Sequence, residues 1–192
     1  MTITYEDILK AQQTQSEVIR KTSLEFSETF SRICGANVYL KNEYEQKTGS
    51  FKIRGAYYKI KSLTTEEKNK GVVAASAGNH SQGVAFASQI ENIPCTIVMP
   101  KTASPAKVAA TKGYGANVVL EGITYDESWA HAQKIAGETG ATIIHAFDDP
   151  HVIAGQGVIG LEILEELPNL DEVYVPIGGG GLVAGIITAI KE

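Results

Sequence analysis

The sequence holds little that would cross-link it, anchor it in a membrane or draw it to a polyanion. Cys34 and Cys95 are its only cysteines, far apart and without His or Cys at metal-ligand spacing, so no disulfide framework or metal site is expected and both thiols should be reduced. No apolar run approaches the roughly 20 residues that a bilayer requires, and the opening MTITYEDILKAQQ lacks the basic and apolar stretches of a secretory signal. A cytoplasmic address with no membrane partner is the expectation. Lys and Arg number 17 against 22 Asp and Glu, and the net charge of −5 is not gathered into blocks, which argues against nucleic acid as a partner. What remains, at 192 residues, 43% hydrophobic and 20% charged, is an ordinary globular chain with room for one full core or two small ones. A small-molecule binder or enzyme fits that composition.

From about Val38 onward, short apolar runs of strand length alternate with longer segments of helical period, the pattern of a parallel α/β architecture. Strands are expected at Asn37–Lys41, Gly71–Ser76, Cys95–Met99, Asn117–Leu120, Ala141–His145 and Glu172–Pro176; several are rich in Val and Ile, as strands covered on both faces are. Helices are expected at Tyr5–Arg20, Ser50–Leu63, His80–Gln89, Pro105–Lys112, Tyr125–Glu138, Val152–Glu166 and from Leu182 on. Thr124 and Asp126 stand where a cap belongs, and Gly140 and Pro168 where helices stop. Because the last strand is followed only by a glycine-rich loop and one helix, the chain reads as a fragment of a longer protein.

Three clusters could carry chemistry. In Gln46–Ala56, Gly49 permits a turn, Ser50 is a good cap, and Lys52 falls in the first turn of a helix. The positive helix end should lower the Lys52 pKa toward the nucleophilic range, although a lysine so placed is by itself more often a solvated surface cation. Ser76-Ala77-Gly78-Asn79-His80 joins an apolar strand to a helix, where freed backbone N–H groups make an anion site; capping by Asn79 and simple burial of His80 are the plainer alternatives. Gly178-Gly179-Gly180-Gly181 joins a strand to the last helix, and so many glycines are expected where backbone N–H groups wrap a phosphate or carboxylate.

Together these motifs resemble the fold type II pyridoxal-phosphate enzymes and, within them, the threonine and serine dehydratases. Ser50–Ala56 looks like the cofactor-lysine motif, Ser76–His80 like the substrate-carboxylate loop and Gly178–Gly181 like the cofactor-phosphate loop. Ala146-Phe147-Asp148-Asp149-Pro150, followed by Ala154-Gly155-Gln156-Gly157, is similar to the dehydratase branch. The resemblance runs from about Thr14 to the C-terminus. It implies two open, mostly parallel sheets flanked by helices, with an incomplete large domain from residues 1–50 and 146–192 and a small domain from 51–145. It also implies that Lys52 binds pyridoxal 5'-phosphate as a Schiff base, Phe51 packs near the ring, Asn79 bonds the ring oxygen, and Gly178, Gly179, Gly180 and Gly181 hold the phosphate. Ser76, Gly78, Asn79 and His80 would receive the substrate carboxylate.

The activity so implied is β-elimination of L-threonine, or L-serine, to a 2-oxo acid and ammonia, with Lys52 as general base and the protein a homo-oligomer, dimer or tetramer. Racemases of this group look as if they carry a hydroxyl residue where this sequence has Ala77, so elimination without racemisation is expected. A truncated, non-catalytic cofactor-binding chain is one alternative. A nicotinamide-dinucleotide enzyme is another, since Gly179-x-Gly181-x-x-Ala184 satisfies that fingerprint, but its acidic partner would fall past the last residue. Missing strands would leave an apolar edge, so association is expected. His131, His151 and Trp129 are read as ordinary structural residues.

Overall fold

The computed structural model describes residues 3–191. In chain order its elements are α1 (Tyr5–Gln15), β1 (Leu24–Phe26), α2 (Glu28–Cys34), β2 (Tyr39–Lys41), a 3-10 turn (Glu43–Glu45), α3 (Lys52–Lys61), α4 (Thr65–Lys70), β3 (Val72–Ala75), α5 (Asn79–Ile90), β4 (Cys95–Met99), α6 (Pro105–Gly113), β5 (Asn117–Leu120), α7 (Tyr125–Thr139), β6 (Thr142–Ile143), α8 (Pro150–Glu166) and α9 (Gly181–Ile190). The local causes are ordinary ones. Thr4, Thr64 and Thr124 each close a capping box with the acidic residue three positions on, and Gly35 and Gly140 end α2 and α7 in the left-handed conformation.

Four parallel strands form one sheet in the order β5-β4-β3-β6. All of β3 is buried, and its residues alternate between faces. Val72 and Ala74 join Ile53, Ile60, Val84 and Ile97 on the side of α3 and α5, while Val73 and Ala75 pack with Val98, Ala132 and Trp129 on the side of α7. An unbroken apolar run is therefore what a doubly covered strand requires.

The α/β class and the parallel sheet flanked by helices stand as expected. The second sheet is smaller, a two-stranded antiparallel pair of β1 and β2. Glu172–Pro176, expected as a strand, forms no strand and pairs with none. Val173 and Val175 turn inward onto Ile159, Ile163 and Ile186, but among the described residues no strand lies alongside it to complete a ladder. The expected strand at 141–145 shortens to Thr142–Ile143, and the first helix stops at Gln15 rather than Arg20.

Helix α8 organises the other helices through glycines. A Cβ on Gly155 would lie 2.7 Å from Gly55 Cα of α3, and one on Gly157 would lie 2.9 Å from the Gly185 carbonyl of α9. Gln15 Nε2 donates to the carbonyls of Arg54 and Gly155, tying α1 to that crossing. Beside it, the fully buried Arg54 pairs with Glu43 at 2.8 Å and Glu162 at 2.6 Å, and Glu162 also pairs with Lys41 at 2.8 Å. Two cations and two carboxylates thus compensate one another, and removal of any one would leave a buried charge unmatched.

Candidate functional site

Lys52 is the first residue of α3, after Phe51 at the N-cap, and no side chain caps this helix. Ser50, expected as the cap, instead buries its hydroxyl without a partner, as does Thr48. Lys52 Nζ donates to the Ala146 carbonyl at 2.6 Å and stands 5.3 Å from the centre of the Phe51 ring. Burial pulls its pKa below the ordinary 10.5, because the ammonium is the form that loses hydration. The depressed value expected from the helix end is present, but desolvation is the cause.

The Ser76–His80 loop lies next to this lysine. Gly83 of α5 lets the two helices approach so closely that a Cβ there would sit 3.1 Å from the Lys52 carbonyl carbon. Gly78 is the N-cap of α5 without a side-chain cap bond, its N–H donates to Ser76 Oγ at 3.2 Å, and Asn79 is exposed. His80 differs in orientation from the others. Its ring is buried with Nε2 2.9 Å from the Ile144 carbonyl, and burial holds its pKa down at about 4, so the ring is neutral and Nε2 is the donor. Only the backbone N–H of His80 is left to meet an anion at the helix start.

The four glycines divide by cause. A Cβ on Gly179 would run into the Phe147 ring, and one on Gly181 would lie 2.5 Å from the Phe147 carbonyl oxygen; these two are glycine so that Phe147 can pack against the loop. Gly180 has φ +85, which an L side chain rarely adopts. Neither Gly178 nor Gly180 has any atom within 4 Å of an added Cβ, so the loop keeps an open face. The first-turn amides of α9 lack a side-chain cap and are available to an anion such as a phosphate. Anion wrapping alone, the reason offered for all four glycines from the sequence, does not explain Gly179 and Gly181.

Residues 144–148 bring the three clusters together. The Ile144 carbonyl accepts from His80, the Ala146 carbonyl accepts from Lys52, and Phe147 packs on Gly179 and Gly181. His145 completes the set, and sequence reasoning missed it. Its Nδ1 accepts from the N–H of Asp148 at 2.7 Å and of Phe147 at 3.3 Å, and its ring stands edge-on to both Trp129 and Phe147. A His closing a strand and followed by a polar turn was the one available signal. Among the described residues no group of His, Cys, Asp or Glu could hold a metal ion.

Residues 15–192 match the pyridoxal-phosphate dependent enzyme family. The chain is 56% identical over 190 residues to the L-threonine ammonia-lyase of Thermotoga maritima, a match covering 99% of this chain and 47% of that protein. It spans about half the length of the curated relatives it matches. Among solved structures, maize serine racemase superposes with a TM-score of 0.96 at 36% identity, covering 100% of this chain and 58% of the racemase. The processed form of threonine deaminase isoform 2 from Solanum lycopersicum gives 0.93 at 41%, covering 100% and 55%.

Proposed function

The chain belongs to the pyridoxal-phosphate dependent enzyme family, and on that premise we propose that it is part of a lyase that removes ammonia from L-threonine, and from L-serine where the pocket admits it. The products are 2-oxobutanoate or pyruvate. The observation that carries the reading is the meeting, at residues 144–148, of a desolvated lysine, an uncapped helix start and a glycine loop with an open face.

These residues fit the cofactor. The open side of Gly178 and Gly180 and the free amides of α9 suit its phosphate, and the Lys52 amine, with its depressed pKa, suits an aldehyde. When bound, pyridoxal phosphate supplies an electron-accepting ring that takes up the electron pair left on Cα. In this reading Phe51 would pack near the ring and Asn79 would donate to its oxygen. Ser76, Gly78, Asn79 and the backbone N–H of His80 receive the substrate carboxylate and fix its orientation. Lys52 would hold the cofactor aldehyde, and its amine, with its depressed pKa, would be the general base for the Cα proton. Racemisation is a second reading, raised by the likeness to maize serine racemase, but Ala77 has no proton to deliver beside the loop.

We assign residues 1–50 and 146–192 to a large domain and 51–145 to a small one, an assignment supported by the parallel sheet β5-β4-β3-β6, all of whose strands fall within 51–145. No described helix is long and apolar enough to cross a membrane. A cytoplasmic homo-oligomer, dimer or tetramer, is the assembly this reading carries, and exposed Ile33, Tyr174 and Ile177 support association.

The test is to mix the chain with pyridoxal phosphate, reduce with borohydride and map the modified peptide by mass spectrometry. Label should fall on Lys52, and Lys52→Ala should abolish both label and threonine deamination. Label elsewhere, or turnover by the alanine variant, would end the assignment.

A further inference from the structure

Among the described residues, every side-chain hydrogen bond to the backbone of residues 145–148 comes from His145 or Lys52. His145 Nδ1 accepts from two backbone N–H groups at once, so the ring carries its proton on Nε2 and is neutral. The same turn presents the Ala146 carbonyl to Lys52 Nζ at 2.6 Å. It also aims the Phe147 ring at Gly179 and lays the Phe147 backbone under Gly181. One imidazole therefore stands behind the lysine's acceptor and the seat of the glycine loop. The ring is itself fixed, 5.2 Å from Trp129 and 4.6 Å from Phe147, both edge-on.

We propose that His145 is a positioning residue of this site, its Nδ1 holding the 146–148 turn so that the Ala146 carbonyl orients Lys52 and Phe147 seats the glycine loop. The proposal rests on the reading of Lys52 as the cofactor lysine, and it assigns the histidine no contact with substrate. A proton on Nδ1 displaces both backbone donors, so acid should release the turn. The charged groups around the ring oppose one another: burial and Lys52 of α3 disfavour that proton, whereas Asp148 and Asp149 of its own turn favour it, with His80 of α5 neutral nearby. Trp129, from α7, does not titrate, and as the only tryptophan its fluorescence reports the state of the adjacent ring.

Two substitutions separate positioning from bulk. His145→Asn keeps a short side-chain oxygen able to accept from the N–H groups two and three residues on, but does not titrate. His145→Phe keeps an aromatic edge for Trp129 and Phe147 but removes the acceptor. Two readouts on the full 192-residue chain follow: the Lys52 amine pKa, from competitive acetylation against pH, and the yield of pyridoxal phosphate on Lys52 after borohydride. With the turn released, water reaches Lys52, so in His145→Phe its pKa should rise by about one unit and label should fall about tenfold. His145→Asn should match wild type in both, and its Trp129 emission should lose the wild-type acid transition.

A His145→Phe chain with an unchanged Lys52 pKa would overturn the proposal. So would a His145→Asn chain that loses label as fully as the phenylalanine variant, since the acceptor is then irrelevant. Should the Lys52 pKa rise in His145→Phe while wild type takes no label on Lys52, the cofactor reading fails and the positioning role of His145 stands.

Discussion

His80 is enclosed at the start of α5, and its neutral ring uses its one donor on the Ile144 carbonyl. Burial lowers its pKa from 6.5 to about 4, so as pH falls the unfolded chain takes the proton first. The sign follows: the stabilisation is complete above the unfolded value and is lost as pH falls toward the folded one, a difference of about 3 kcal/mol at roughly 1.4 kcal/mol per unit. His80→Gln retains a donor for Ile144 and cannot titrate. Between pH 7 and pH 4, wild type should lose about 3 kcal/mol more unfolding free energy than this variant, measured by urea denaturation at both pH values. Equal losses would show that the ring takes its proton without penalty in the folded state. Lys52 and the glycines were legible in the sequence because each sits in a contiguous motif. The burial that depresses Lys52, the inward turn of His80 and the part played by His145 were not, since all depend on a segment that returns to Lys52 after 94 positions.

Two glycines in helices have opposite meanings, which only packing reveals. Gly155 of α8 faces α3, where a Cβ would meet Gly55 Cα at 2.7 Å and the Arg54 carbonyl at 2.8 Å, both backbone and unable to yield locally. Gly137, on the exposed side of α7, has nothing within 4 Å. Gly155→Ala should therefore cost about 2–3 kcal/mol by forcing α3 and α8 apart. Gly137→Ala should add about 0.5–1 kcal/mol by ordinary helix propensity. Thermal denaturation of both checks the signs, and a neutral Gly155→Ala would mean that the crossing can widen freely. The helices other than α2 and α4, and the four strands of the parallel sheet, were legible because their periodicity is long or their apolar runs unbroken. β1 has only three residues and no pattern to read. α4 could have been found, as Thr64-Thr65-Glu66-Glu67 spells the capping box that starts it. Glu172–Pro176 was misjudged because a strand is a property of two segments, and its composition describes only one of them.

At the scale of the whole molecule, burial is unevenly shared. All four residues of β3 are buried and α5 contributes Val84, Ala85 and Ala87 to the core beside it, whereas α2 has no buried residue and the flanking strands are half-exposed or exposed. Ile33 of α2 is 70% exposed and Tyr174 is 87% exposed, so the most exposed apolar side chains lie outside the parallel sheet. Local opening costs little where few apolar contacts are broken and approaches the global stability in the core. Amide hydrogen exchange should thus be slowest in Val72–Ala75 and α5, and faster by at least about a hundredfold in Glu28–Cys34. Lys41 should set β2 apart from α2, because its ammonium reaches Glu162 and the Thr22 carbonyl and joins the strand to the Arg54 network. If α2 exchanged as slowly as β3, the β1–α2–β2 region would belong to the same cooperative unit as the sheet. If it exchanges first, the lysine, the α5 start and the 144–148 turn keep their mutual geometry while the surface around β1 and α2 opens, since none of the contacts that assemble the site passes through it.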